Sequence, residues 1–157
     1  MHSNNAPWVN ENWWGSEYNW VKEVRDSFDF PENIAFHDAT LRDGEQCPGV
    51  VFRKEGKLEI ARMLDSIGID RIEAGMPTVS EEDFEAIKMI VAANLKAKIM
   101  LFCRAHPDDI EKAMETKAHG LILEVPCGYP RVKNQFPQWS FDDVKNRAIE
   151  AISYAKK

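Results

Sequence analysis

Arg42, Asp43, Glu45 and Gln46 crowd into five consecutive positions, and Glu73, Arg104, His106, Glu124 and Cys127 follow at intervals of about 20–30 residues. Carboxylates and an imidazole suit a hard or borderline divalent metal, and a guanidinium suits anionic oxygens on a substrate. Charged residues in loops are common and most are simply solvated. What sets these apart is that each group comes just after, or at the end of, an apolar segment, four times in succession.

Those apolar segments define the framework. Ile34–Asp38 reads as a short strand, followed by a polar loop through Gly49. Helical spacing then runs through Leu58, Ala61, Leu64 and Ile67, with Gly68 as its stop. Asp70–Ala74 is a second strand. Ser80 stands three residues before Asp83 in the manner of a capping box, and Phe84, Ile87 and Val91 form the stripe of a second helix. Ile99–Cys103 is unbroken apolar, as for a strand covered on both faces. Pro107 starts a third helix that ends near Gly120. Leu121–Val125 is the fourth strand, and Ser140 with Asp143 caps a last helix with the stripe Val144, Ala148, Ile152 and Ala155. Four strand–helix units without a hairpin signal build a parallel α/β sheet with right-handed crossovers. An open doubly wound sheet and part of an eight-unit barrel both fit, and a whole barrel needs about 250 residues. In either, the working edge is where the strands end.

Residues 1–33 form a different kind of segment, an extension ahead of the 34–157 domain. It holds four of the five tryptophans, at positions 8, 13, 14 and 20, without an apolar period. Aromatics at this density are expected to pack as a cap or an oligomer contact. Val21–Phe28 reads as a short helix ended by Pro31. His2 is a terminal residue.

Composition narrows the class. Over 157 residues, 26 acidic and 20 basic side chains give a charge of −6, with 44% apolar and 29% charged residues. This balance argues against nucleic acid as the main partner. No apolar run reaches the length that spans a bilayer, and Met1–Asn12 lacks the basic and apolar regions of a secretory signal. Cys47, Cys103 and Cys127 are odd in number and free of any C-x-x-C, so reduced thiols in a cytoplasmic protein are expected rather than disulfides or a thiolate metal site. His37 reads as a core or supporting residue of the first strand, and His119 as structural on the opposite rim.

The run His37-Asp38-Ala39-Thr40-Leu41-Arg42-Asp43-Gly44-Glu45-Gln46 resembles the opening motif of the isopropylmalate synthase and homocitrate synthase family, metal-dependent TIM barrels related to 3-hydroxy-3-methylglutaryl-CoA lyase. Arg71-Ile72-Glu73-Ala74-Gly75 and Arg104-Ala105-His106-Pro107-Asp108-Asp109 support it, so the resemblance runs in register over about residues 34–125. It implies that the four units are the first half of a (β/α)8 barrel. It further implies that Asp43 is a ligand of a divalent cation (Mg, Mn or Zn), with Arg42 and Glu73 catalytic. Gln46, Arg104 and His106 become substrate-binding, and the substrates a 2-oxo acid and acetyl-CoA. The family's late His-x-His metal ligands do not occur in this sequence, so the resemblance implies an acyltransferase that is inactive as this chain alone. Two alternatives stand beside it: aldol-type cleavage, as in the lyase branch, and a non-catalytic half-barrel acting only by association. Four units leave two sheet edges and an apolar inner face open, which implies a homo-oligomer or a partner segment that completes the barrel.

Overall fold

The computed structural model describes residues 6–156, so His2 and the first residues of the extension lie outside the described part. The chain forms two compact units, Met1–Ile34 and Ala35–Lys157, each taken by itself.

In the first unit, a bridge joins Val9 and Trp14, a 3-10 turn covers Glu17–Trp20, and a single helical turn follows, α1 (Lys22–Arg25). The longer helix expected over Val21–Phe28 does not form. Its residues offer no buried stripe, and a helix this short gains too little from its own hydrogen bonds to persist. The Trp8 and Trp20 rings pack at 6.4 Å, with the Arg25 guanidinium 4.9 Å from the centre of the Trp20 ring, while Trp14 remains 68% exposed.

The second unit is a parallel sheet in the order β1 (His37–Asp38), β2 (Arg71–Glu73), β3 (Lys98–Arg104) and β4 (Gly120–Glu124). Helices α2 (Lys54–Ser66), α3 (Glu81–Ala92) and α4 (Pro107–Met114) form the crossovers, and α5 (Tyr129–Gln135) and α6 (Phe141–Ala155) follow β4. This is the βα order of the first half of a TIM barrel. The core lies between sheet and helices, where Leu41, Ile72, Ile87, Ile90, Leu101 and Ile110 are fully buried.

Several boundaries differ from expectation, each for a physical reason. Only His37 and Asp38 of the first strand enter the ladder, in the register His37↔Arg71 and Asp38↔Ile72; the Phe36 N–H goes instead to the Asp70 carboxylate at 2.7 Å, and Phe36 stays 65% exposed. In β3, Ile99, Leu101 and Cys103 are buried, whereas Met100 and Phe102 on the opposite face are half-buried, so one face is covered fully rather than both. The third helix ends at Met114. Lys117 then turns the chain at φ +59°, and Gly120 opens β4 instead of closing the helix. A Cβ at Gly120 would stand 2.7 Å from Met100 Cε, the flexible end of a side chain that would have to shift. In α6 the capping box of Ser140 and Asp143 forms, but Ala151 rather than Ile152 completes the buried stripe with Val144, and Ile152 is 47% exposed. Helix α5 has no apolar period to announce it; Pro130 in its first turn supplies a preset φ without wasting a donor. Among the described residues, no helix is long and apolar enough to cross a membrane.

Candidate functional site

The chain leaves β1 through a tight polar turn. The Asp38 carboxylate accepts from the Thr40 N–H at 2.9 Å, and the Arg42, Asp43 and Gly44 N–H groups all converge on the Ala39 carbonyl. Leu41 anchors this turn in the core at zero exposure. Beyond the buried Leu41, the Arg42 side chain is 20% exposed and that of Asp43 is 65% exposed.

Arg42 is the hub of the cluster. Its Nε donates to Glu73 Oε1 at 2.5 Å, its Nη1 donates to Asp43 Oδ1 at 2.7 Å, and its guanidinium lies 4.7 Å from the centre of the Phe102 ring. Glu73, at the end of β2, is 3% exposed, and its other oxygen is 3.1 Å from His37 Nε2. His37 is thus a partially exposed residue that steadies Glu73, the supporting role rather than the core one. The hydrogen bond from Arg42 to Glu73, with the charges of Glu73 and Asp43, outweighs desolvation and holds the guanidinium above its ordinary pKa. The result is a permanently charged donor group held in one orientation from two sides, with further N–H groups to offer an oxyanion.

Gln46 ends the 3-10 turn Gly44–Gln46 and lines a cavity of about 240 Å³ together with Arg42, Glu45, Lys57, Gly75 and Asp83. Arg104 and His106 are not in that cavity. They line a second one, of about 410 Å³, at the ends of β3 and β4, with Glu124, Arg131, Trp139 and Arg147. Arg104 already holds Asp109 in a bidentate pair, Nε to Oδ2 at 2.7 Å and Nη2 to Oδ1 at 2.8 Å, which keeps the Asp109 carboxyl below its usual pKa. His106 is the N-cap of α4, with Nδ1 3.7 Å from Asp108 Oδ2.

Arg131, Arg147, Trp139 and Lys57 are not among the residues that the sequence singles out. Arg131 donates to Glu124 Oε1 at 2.5 Å, and the Arg147 guanidinium lies 4.1 Å from the centre of the Trp139 ring. Trp139, ahead of α6, and Arg147, within it, come together only in the fold, as a cation over an aromatic face. Lys57 carries no signal, since it stands among Lys54, Glu55 and Glu59 as one more charged residue of the first turns of α2.

A metal can be tested against these donors. Asp43 Oδ1 is taken by Arg42, and Oδ2 has no protein partner among the described residues. A hard carboxylate oxygen at the strand-end rim fits a divalent cation as one ligand of several. Among the described residues, no group of three or more His, Cys, Asp or Glu side chains could hold a metal ion by itself. The cysteines stand apart from the cluster: Cys47 and Cys127 are exposed, and burial pushes the Cys103 thiol up to about 12. His119 Nδ1 accepts from the Ile99 N–H at 3.0 Å at the start of β3, a structural contact on the far rim.

The chain is similar to known proteins over most of its length. The family described as HMGL-like matches residues 33–157. Homocitrate synthase AksA of Methanocaldococcus jannaschii is 44% identical over 126 residues, covering 80% of this chain and 31% of that protein. A probable 2-isopropylmalate synthase of Ignicoccus hospitalis is 38% identical, covering 87% of this chain and 34% of its own length. The (R)-citramalate synthase CimA of M. jannaschii is 41% identical over 79% of this chain and 25% of its own length. The chain therefore spans about a third or less of these curated relatives.

Proposed function

Because this chain belongs to the HMGL-like family, we propose that it forms the first half of the barrel of an acyltransferase that condenses acetyl-CoA with a 2-oxo acid. The barrel domain runs over 34–157, with 1–33 as an extension, and the remaining strands come from further sequence or from another chain. Condensation joins the methyl carbon of the acetyl thioester to the keto carbon of the oxo acid. The methyl group gives up a proton to a base that the residues above do not supply, and the keto oxygen becomes an alkoxide. Hydrolysis of the thioester then releases the CoA thiol.

The observation that carries this reading is the Arg42–Glu73–Asp43 cluster at the strand-end rim. Arg42 meets the growing charge on the oxygen, and its orientation is set by Glu73 before substrate arrives, which is where electrostatic catalysis gains most. A divalent cation, when bound, would polarise the 2-oxo group as a Lewis acid, with Asp43 as one of its ligands. Gln46 lines the same cavity as Arg42. Arg104 keeps donors beyond those given to Asp109, and these bind a substrate carboxylate together with His106 on the same loop. Arg131 and Arg147 add positive charge to the cavity that Arg104 and His106 line. Such an enzyme works in the cytoplasm.

The test is release of free thiol from acetyl-CoA by the full-length protein, offered a panel of 2-oxo acids with Mg²⁺, Mn²⁺ or Zn²⁺. Thiol release that depends on the oxo acid is expected. Cleavage of 3-hydroxyacyl-CoA without any thiol release would assign the lyase direction instead, and silence in both assays would leave the half-barrel as a module of association.

A further inference from the structure

Lys57 is 2% exposed, yet it carries a charged ammonium near the start of α2. Two carboxylates from different elements pair with it, Glu45 through Oε2 at 2.5 Å and Asp83 through Oδ1. Burial lowers the Lys57 pKa, but the hydrogen bonds and charges of Asp83 and Glu45 outweigh it and hold the group above its ordinary value. Each carboxylate has a second task. Glu45 Oε1 accepts from the Phe52 N–H at 2.9 Å, closing the loop between β1 and α2. Asp83 Oδ2 accepts from Ser80 Oγ at 2.7 Å, within the cap of α3. On a third side lies Gly75, at φ +143°, where a Cβ would stand 3.9 Å from Lys57 Nζ. The ammonium therefore sits under the turn that leaves β2 two residues after Glu73.

We infer that Lys57 is a positioning residue for the Arg42–Glu73 pair: it holds the loop that carries Arg42, through Glu45, against the strand end that carries Glu73, beneath Gly75. Glu45 is three residues from Arg42, so a shift of its carboxylate moves the whole turn. Without the ammonium, Glu45 and Asp83 would face each other as two like charges in a half-buried space. One of them must then move toward water, and Glu45, on a loop, is freer to move than Asp83 inside a helix cap. Lys57 touches no reacting atom. Its effect on turnover rests on the acyltransferase reading; its effect on the loop does not.

The test compares Lys57→Met, Lys57→Arg and Glu45→Gln with the wild type by hydrogen exchange and mass spectrometry. The readout is the segment 40–52, whose Arg42 and Asp43 N–H groups bond to the Ala39 carbonyl, against the segment 98–104 of β3 as the internal control. Exchange at least 10-fold faster in 40–52, with 98–104 unchanged, is expected for Lys57→Met and Glu45→Gln, and Lys57→Arg is expected to restore most of the protection. Uniformly faster exchange across both segments, or none in either, overturns the inference. If Lys57→Met does not fold, Glu45→Gln decides alone, since it leaves the Lys57–Asp83 pair in place. In the full-length protein the same two variants should lower kcat about 10- to 100-fold through misplacement of Arg42, with the KM for acetyl-CoA within twofold. A wild type without turnover defeats the acyltransferase reading and leaves the exchange experiment to decide this one.

Discussion

The Arg42 guanidinium is held between Asp43, next to it along the chain, and Glu73, at the end of β2. The partner that fixes the guanidinium, Glu73, is 31 residues away, and only strand pairing brings it within 2.5 Å. Replacing Arg42 by Lys keeps the charge but loses both the Nε donor and the planar fork. We expect kcat of the full-length protein to fall roughly 100-fold, the scale of losing one well-placed donor to an oxyanion; stopped thiol-release assays check this. Arg104 and Asp109 give a second prediction. Asp109 is ionised in the fold at pH values where the unfolded chain, with a carboxyl pKa of about 3.9, has begun to bind a proton. Its contribution to stability is therefore present above about pH 4 and is lost as pH falls through the lowered folded value. Urea unfolding between pH 5 and pH 3 should show a shallower loss for Asp109→Asn than for the wild type, because the variant has no proton to take up.

At the scale of elements, caps and stops are more legible than lengths. Gly68 follows α2 at φ +88°, and a Cβ there would meet nothing within 4 Å, so its need for glycine is purely one of backbone conformation. Gly68→Ala should cost about 1 kcal/mol, measured by denaturant unfolding, with no change in activity beyond that stability loss. Ser140 accepts from the Asp143 N–H, and Asp143 in turn accepts from the Ser140 N–H at 2.8 Å. Ser140→Ala should also cost about 1 kcal/mol by the same measurement. Both features are visible in sequence because they depend on residues within a few positions of each other. The ends of β1 and α4 are not visible, because pairing register and a left-handed turn at Lys117 set them.

For the whole molecule, β1 and β4 each have a single strand neighbour among the described residues, and every position of β4 is only half-buried. Phe102 and Met100 face the side of the sheet opposite the helices and are half-buried as well. Open edges and partly covered apolar side chains favour pairing with further strands. Light scattering of this chain at micromolar concentration should therefore show association, and a stable, well-behaved monomer would contradict the half-barrel arrangement. Sequence alone determined the βα alternation, the family motif and the reactive residue types at the strand ends, since period, caps and motifs are properties of neighbours along the chain. Tertiary structure decided which of those residues meet. It joined Arg42 to Glu73, gave Arg104 to Asp109, gathered Arg131, Trp139 and Arg147 into one cavity, and buried Lys57 between Glu45 and Asp83. Contacts across strands and between helices depend on register and packing, and these come from the burial of the whole core rather than from any local stretch.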